Sequence, residues 1–177
     1  MKSKIPRNRR AATNPVDDLE ALHLELLRLY YDEGERNHTR DVADRLEAAL
    51  LRLPETDDSI FAEEVRSLVA EVRGDLAEAI HSREGEVRKI LELHSMTRGT
   101  PNWHYALRQY GYGDVSDRLD LLAILHAERG DLRRAVATLR ESRAYCQSHQ
   151  VAFDGKSLLA EYERQARGGR TATLASG

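Results

Sequence analysis

The sequence predicts an all-α protein assembled from antiparallel helical hairpins. Three observations carry this. Leucine, valine and alanine recur at three- and four-residue spacing along most of the chain, the period of an amphipathic helix. Gly74-Asp75 and Gly130-Asp131 fall between such runs, where a glycine ends one helix in the left-handed conformation and an aspartate caps the next. The composition is 41% hydrophobic, only 6% aromatic and 32% charged, which favours surface-rich helices over a β-rich fold.

The pattern is clearest from Ser116 to His149. Leu119, Leu122, Ile124, Leu125 and His126 fall at helical spacing on one helix, with small Ala123 beside Leu122. After Gly130-Asp131, Leu132, Ala135, Val136 and Leu139 form the apolar stripe of a second helix that also carries an arginine-rich face. The order of Leu119, Leu122, Ala123, Gly130-Asp131, Ala135 and Leu139 resembles the tetratricopeptide (TPR) repeat family. Two features depart from the family pattern: His126 stands where an aromatic residue is usual, and no proline closes the second helix. The resemblance implies a right-handed solenoid of stacked hairpins with a C-terminal capping helix.

In chain order, residues 1–13 lack periodicity and read as a disordered basic arm (Lys2, Lys4, Arg7, Arg9, Arg10). A single helical-repeat domain is expected over residues 14–167. Asn14-Pro15 supplies a cap and a favoured first helical residue; Leu19, Leu22, Leu26, Leu29 and Tyr30 then form one stripe, ended by Gly34. A second helix runs from about Asn37 to Leu53 and stops at Pro54, closing a first hairpin of about 14–53. The second hairpin, about 57–97, begins at the Thr56-Asp57-Asp58 caps and turns at Gly74-Asp75; Gly85 inside its second helix marks a close helix crossing. Residues 98–114 form an insert, with a short helix from Thr100-Pro101 to about Tyr110 that holds Trp103 and Tyr105, and with Tyr112 just beyond it. The third hairpin covers about 116–149. A capping helix over 154–167 carries Leu158, Leu159 and Tyr162, and residues 168–177 read as a disordered tail.

Net charge −3 and a pI near 6.2 argue against a dedicated nucleic-acid binder. Cys146 is the only cysteine, so no intrachain disulfide forms and a reducing compartment is expected. No apolar stretch follows the basic arm, and no apolar run is long enough to span a bilayer. A cytoplasmic protein without membrane association is the resulting expectation.

Chemistry-bearing motifs are scarce. There is no GxxxxGK[ST], GxGxxG, GxSxG or HExxH, and no two histidines stand four apart on one helix. Cys146 and His149 are only two potential ligands, too few for a zinc site. Glu63-Glu64 and Asp117-Asp120 fall in expected first turns, where carboxylates stabilise the helix without catalytic work. No catalytic residue, metal or cofactor is therefore expected.

If the hairpins stack as the TPR resemblance implies, their first helices line a concave face. That face would hold Arg28, Tyr31 and Asp32; then Phe61, Glu64, Leu68 and Glu71; then Asp117, Asp120, Ile124 and Glu128. Six carboxylates against one arginine make it acidic, suited to a basic protein or peptide segment. The alternative is a solvated acidic face without a partner. Trp103, Tyr105 and Tyr112 are either a binding ledge, since tryptophan and tyrosine dominate hot spots, or a plug between hairpins. The expected function is a non-catalytic protein–protein interaction or scaffold module. Two other readings stand beside it: nucleic-acid or ribonucleoprotein association through the basic arm, and an enzyme with an unrecognised pocket.

Overall fold

The computed structural model describes residues 15–33, 36–52 and 59–174, with side chains over 19–30, 38–52 and 59–168. Every regular element among them is helical, as the periodicity requires. The chain divides into two compact units, residues 1–57 and 58–177.

In the first unit, α1 (Pro15–Leu27) continues into a π-helical segment over Arg28–Glu33 and packs against α2 (Arg36–Leu50). Leu19, Leu26 and Leu29 are buried on the first of these, and Val42, Ala43 and Leu46 on the second. The helix α2 ends three residues before the expected Leu53. The expected punctuation at Asn14, Gly34, Pro54 and Thr56-Asp57-Asp58 lies outside the described residues.

The second unit contains α3 (Ile60–Arg73), α4 (Leu76–Thr97), α5 (Trp103–Gln109), α6 (Tyr112–Glu128), α7 (Leu132–His149) and α8 (Lys156–Leu174). The N-cap of α3 is Ser59, whose Oγ accepts from the Ala62 N–H at 3.1 Å, rather than the acidic run before it. The helices α3 and α4 pair as one hairpin and α6 and α7 as another, α4 packs on α6, and α8 packs on α7.

The two Gly-Asp turns are built alike. The Asp75 N–H donates to Ala70 O at 2.9 Å and the Gly74 N–H to Glu71 O at 3.0 Å. The Asp131 N–H donates to His126 O at 2.8 Å and the Gly130 N–H to Ala127 O at 2.9 Å. These paired bonds are the Schellman motif, and each glycine takes the positive φ it demands (77° and 88°). Each aspartate then caps the following helix: Asp75 Oδ1 accepts from Glu78 N–H and Asp131 Oδ1 from Arg134 N–H. Small residues meet near each turn, with Ser67 Oγ donating to Ala79 O at 3.0 Å and buried Ala123 and Ala135 sharing one cluster. The α7 C-terminus repeats the two bonds, Val151 N–H to Cys146 O and Gln150 N–H to Gln147 O, but places Gln150 at φ 58°.

The helix α6 is central to the core. Its Val115 and Leu119 join Val87 and Ile90; its Leu122 and Leu125 join Ala70, Ala79 and Ile80; its Ala123 joins Ala135, Leu139, Phe153 and Leu159. His126 is buried, and burial pulls its imidazole below the ordinary range.

Three expected boundaries are corrected. A turn over Pro101-Asn102 delays α5 to Trp103, with Thr100 Oγ1 accepting from the Asn102 N–H at 3.3 Å. The helix α6 starts at Tyr112 rather than Ser116, because the Asp114 carboxylate reaches back to accept from the Gly111 N–H at 2.5 Å. The helix α8 continues past Gly168 to Leu174, where residues 168–177 were expected to be disordered. Gly85 faces a side chain rather than a backbone: a methyl group there would stand 3.2 Å from Glu63 Cδ.

The left-handed positions make opposite predictions. Gly130→Ala is expected to lower unfolding free energy by about 1 kcal/mol, and Gln150→Gly to raise it by up to about 1 kcal/mol. Urea titration followed by circular dichroism measures both.

Candidate functional site

The polar side of α6 gathers the most charge. Asp114, Asp117, Arg118 and Asp120 fall within two turns, and the α7–α8 connection brings Asp154 to them. Arg118 is the helix's only arginine, and it turns inward. Its Nε donates to Glu86 Oε1 of α4; its other nitrogens lie 3.6 Å from Glu64 Oε2 of α3 and 3.7 Å from Asp114 Oδ1. It also stands over the Tyr110 ring, 5.9 Å from the centroid.

Glu86 is fully buried, and its second oxygen accepts from Arg83 Nη1, itself 4% exposed. Burial pushes the Glu86 carboxyl above the usual carboxylate range, while Arg83 and Arg118 pull it back. Beside this triad, Lys89 Nζ donates to Glu63 Oε1 at 2.8 Å and Arg66 lies 3.5 Å from Glu63 Oε2.

With Arg118 directed inward, the outer aspartates face one another. Burial first, then Asp114 and Asp154, raise Asp117 above the ordinary range, against the pull of Arg118. Burial, Asp117 and Asp154 raise Asp120, which a hydrogen bond to Ser142 partly offsets. The connection approaches Asp120 closely: a methyl group on Gly155 would stand 2.7 Å from its Oδ2 and 2.8 Å from the Phe153 ring. Both aspartates lie beyond the first turn of α6, because that helix starts four residues before the expected Ser116.

The aromatic residues divide into two groups. Trp103 and Tyr112 stand edge-to-face at 6.3 Å, and each meets His94 edge-on, at 5.7 and 5.6 Å. His149 lies 4.2 Å from both Tyr112 and Tyr145. This ring cluster joins α4, α5, α6 and α7, and His94 Nε2 is 2.6 Å from Tyr110 O. Tyr145, its hydroxyl buried, is pushed up to about 12, mainly by burial. Tyr105 is separate and 62% exposed.

The other expected contact residues lie on several elements. Arg28 is exposed on the first unit, and the side chains of Tyr31 and Asp32 lie outside the described residues. Phe61 and Glu71 are half-buried on α3, and Glu64 is drawn to Arg118. Glu128 is exposed at the far end of α6, close enough to Tyr162 to help raise its hydroxyl. Cys146 is buried, and its Sγ donates to Ser116 Oγ at 3.1 Å. Among the described residues no group of three or more His, Cys, Asp or Glu side chains is placed to hold a metal ion, and no helix is long and apolar enough to cross a membrane.

Two groups were missed in the sequence. Arg83 and Glu86 interrupt the stripe of Ala79, Ile80 and Ile90 at helical spacing, and charges inside an apolar stripe signal a buried ion pair. The sequence shows an arginine-rich face on α7 without a role for it, and in the structure Arg133 and Arg140 of that helix line one cavity with Arg167 of α8. Comparison of the chain with family models, curated proteins and solved structures gives no match.

Glu86→Ala is expected to cost about 3–5 kcal/mol, because it leaves the Arg83 charge buried and unpaired; chemical denaturation of the full chain measures this. Asp117 carries a second prediction. Its raised pKa in the folded state means that its favourable contribution is full below the unfolded value of 3.8 and is lost as pH rises through the folded value. Asp117→Asn should therefore stabilise the protein at pH 7, by a few tenths of a kcal/mol at this exposed position, and the gain should vanish well below pH 3.8. Melting temperatures at the two pH values test the sign.

Proposed function

We propose that this chain is a non-catalytic protein–protein interaction module, a TPR-like stack of hairpins that holds a basic partner segment against the carboxylates of α6. The observation that carries this reading is the crowding of Asp117, Asp120 and Asp154 beside Asp114, while Arg118 is shared among Glu86, Glu64 and Asp114. Mutual repulsion between carboxylates is relieved when a cation docks among them, so the cluster favours lysine and arginine side chains and steers their approach. Rigidity supports the same reading. The Gly155 backbone approaches Asp120 closely, and α6 is packed into three parts of the core, so little conformational entropy is lost when a partner binds. The exposed Tyr105 ring on α5 offers an additional apolar contact.

The test uses a fluorescein-labelled 15-residue peptide with lysines at helical spacing, read by fluorescence anisotropy against the full chain. Binding should weaken about tenfold or more in Asp117→Lys/Asp154→Lys and should fall between 50 and 300 mM salt. Circular dichroism establishes that the variant is folded. Equal binding by the variant and the parent protein would sink the proposal.

A further inference from the structure

A second surface, opposite in sign, lies between α7 and α8. There a cavity of about 400 Å³ is lined by Arg133, Val136 and Arg140 of α7 and by Glu163, Ala166 and Arg167 of α8. Two of the guanidinium groups, those of Arg140 and Arg167, hold the one carboxylate, and Arg133 lines the same cavity. Arg140 directs Nε (3.2 Å) and Nη2 (2.7 Å) to Glu163 Oε1, and Arg167 Nη2 lies 3.4 Å from Oε2. Arg133 has no ion-pair partner among the described residues. Arg140 and Arg167 are more than half exposed, so the groups are reachable from solvent.

We infer that this groove docks an acidic polypeptide segment, through carboxylates that bind the arginines Glu163 leaves incompletely neutralised. The geometry indicates the class of partner. A guanidinium offers parallel N–H donors that match a carboxylate, and Glu163 already shows a carboxylate between two of them. Arg133 and Arg140 are seven residues apart on one helix, about 10.5 Å along its axis. Acidic residues two turns apart on a partner helix match that separation. Val136 and Ala166, between the arginines, offer apolar surface to the partner's aliphatic stems. Glu163 is then an internal competitor: its carboxylate, held below the ordinary range chiefly by the Arg140 hydrogen bond, occupies donors that a partner would use. The groove is separate from the aspartates of α6, so this inference does not rest on the proposed function.

The experiment measures the anisotropy of a labelled 15-residue alanine-rich peptide with glutamates four and seven residues apart, alongside its glutamine counterpart. The full chain should bind the acidic peptide about tenfold or more tightly than the neutral one, and Arg133→Gln/Arg140→Gln should remove that preference. Glu163→Gln should tighten binding about threefold or more, because it frees Arg140 and Arg167. This gain cannot come from misfolding. Asp117→Lys/Asp154→Lys should leave acidic-peptide binding in place, which separates failure here from failure of the basic-partner reading. Equal affinity for the two peptides, or weaker binding by Glu163→Gln, would overturn the inference. So would tighter binding of a thymidine oligonucleotide with the same arginine dependence and a steep salt slope, which would assign the groove to nucleic acid.

Discussion

The Glu86 carboxylate is the constraint on which the second unit depends. It is fully buried, and both Arg83 of its own helix and Arg118 of α6 hold it. Apolar packing alone lets helices slide by a turn with little change in buried area, whereas a buried ion pair tolerates only the registers that satisfy it. The Glu86–Arg118 contact therefore fixes α6 on α4. The hydrophobic layers follow from that register: Val115 and Leu119 meet Val87 and Ile90, and Leu122 and Leu125 meet Ala70, Ala79 and Ile80. The acidic surface follows too, because Arg118, the only cation on α6, is shared among Glu86, Glu64 and Asp114.

Most of this fold was legible in the sequence because local chemistry determines it. Gly74-Asp75 and Gly130-Asp131 are turns for reasons confined to a few residues: one must accept positive φ and the next must offer a capping oxygen. The buried stripes of α6 and α7 follow from spacing alone. Boundaries failed where a side chain outside the repeat pattern intervened. Asp114 extended α6 backward, and a turn over Pro101-Asn102 shortened α5.

The candidate sites were less legible, since they are made by contacts across the chain. Asp117 and Asp120 could be picked out as acidic, but their crowding depends on Asp154, more than thirty residues later, and on the inward turn of Arg118. Trp103 and Tyr112 were recognisable as unusual, yet only the fold brings His94, Tyr145 and His149 around them. The arginine-rich face of α7 was visible, but nothing in its spacing reveals that Arg167 and Glu163 will line one cavity with it. Opposite charge on separate helices gives this unit an electrical asymmetry that its modest net charge conceals.

The two-residue Gly-Asp turns also bear on how quickly the chain folds. The pairs α3–α4 and α6–α7 join segments that are neighbours in sequence, so the entropy lost in closing each hairpin is small. Structures dominated by such short-range closures fold on microsecond-to-millisecond timescales. The contact between Glu86 and Arg118 spans 32 residues, including the whole of α5. The contacts within each hairpin are thus closed by short loops, whereas the contact between hairpins closes a much longer one. Closing that longer loop takes the Glu86 carboxylate and the Arg83 side chain out of water, so the contact between hairpins carries a desolvation cost that the Gly-Asp turns do not.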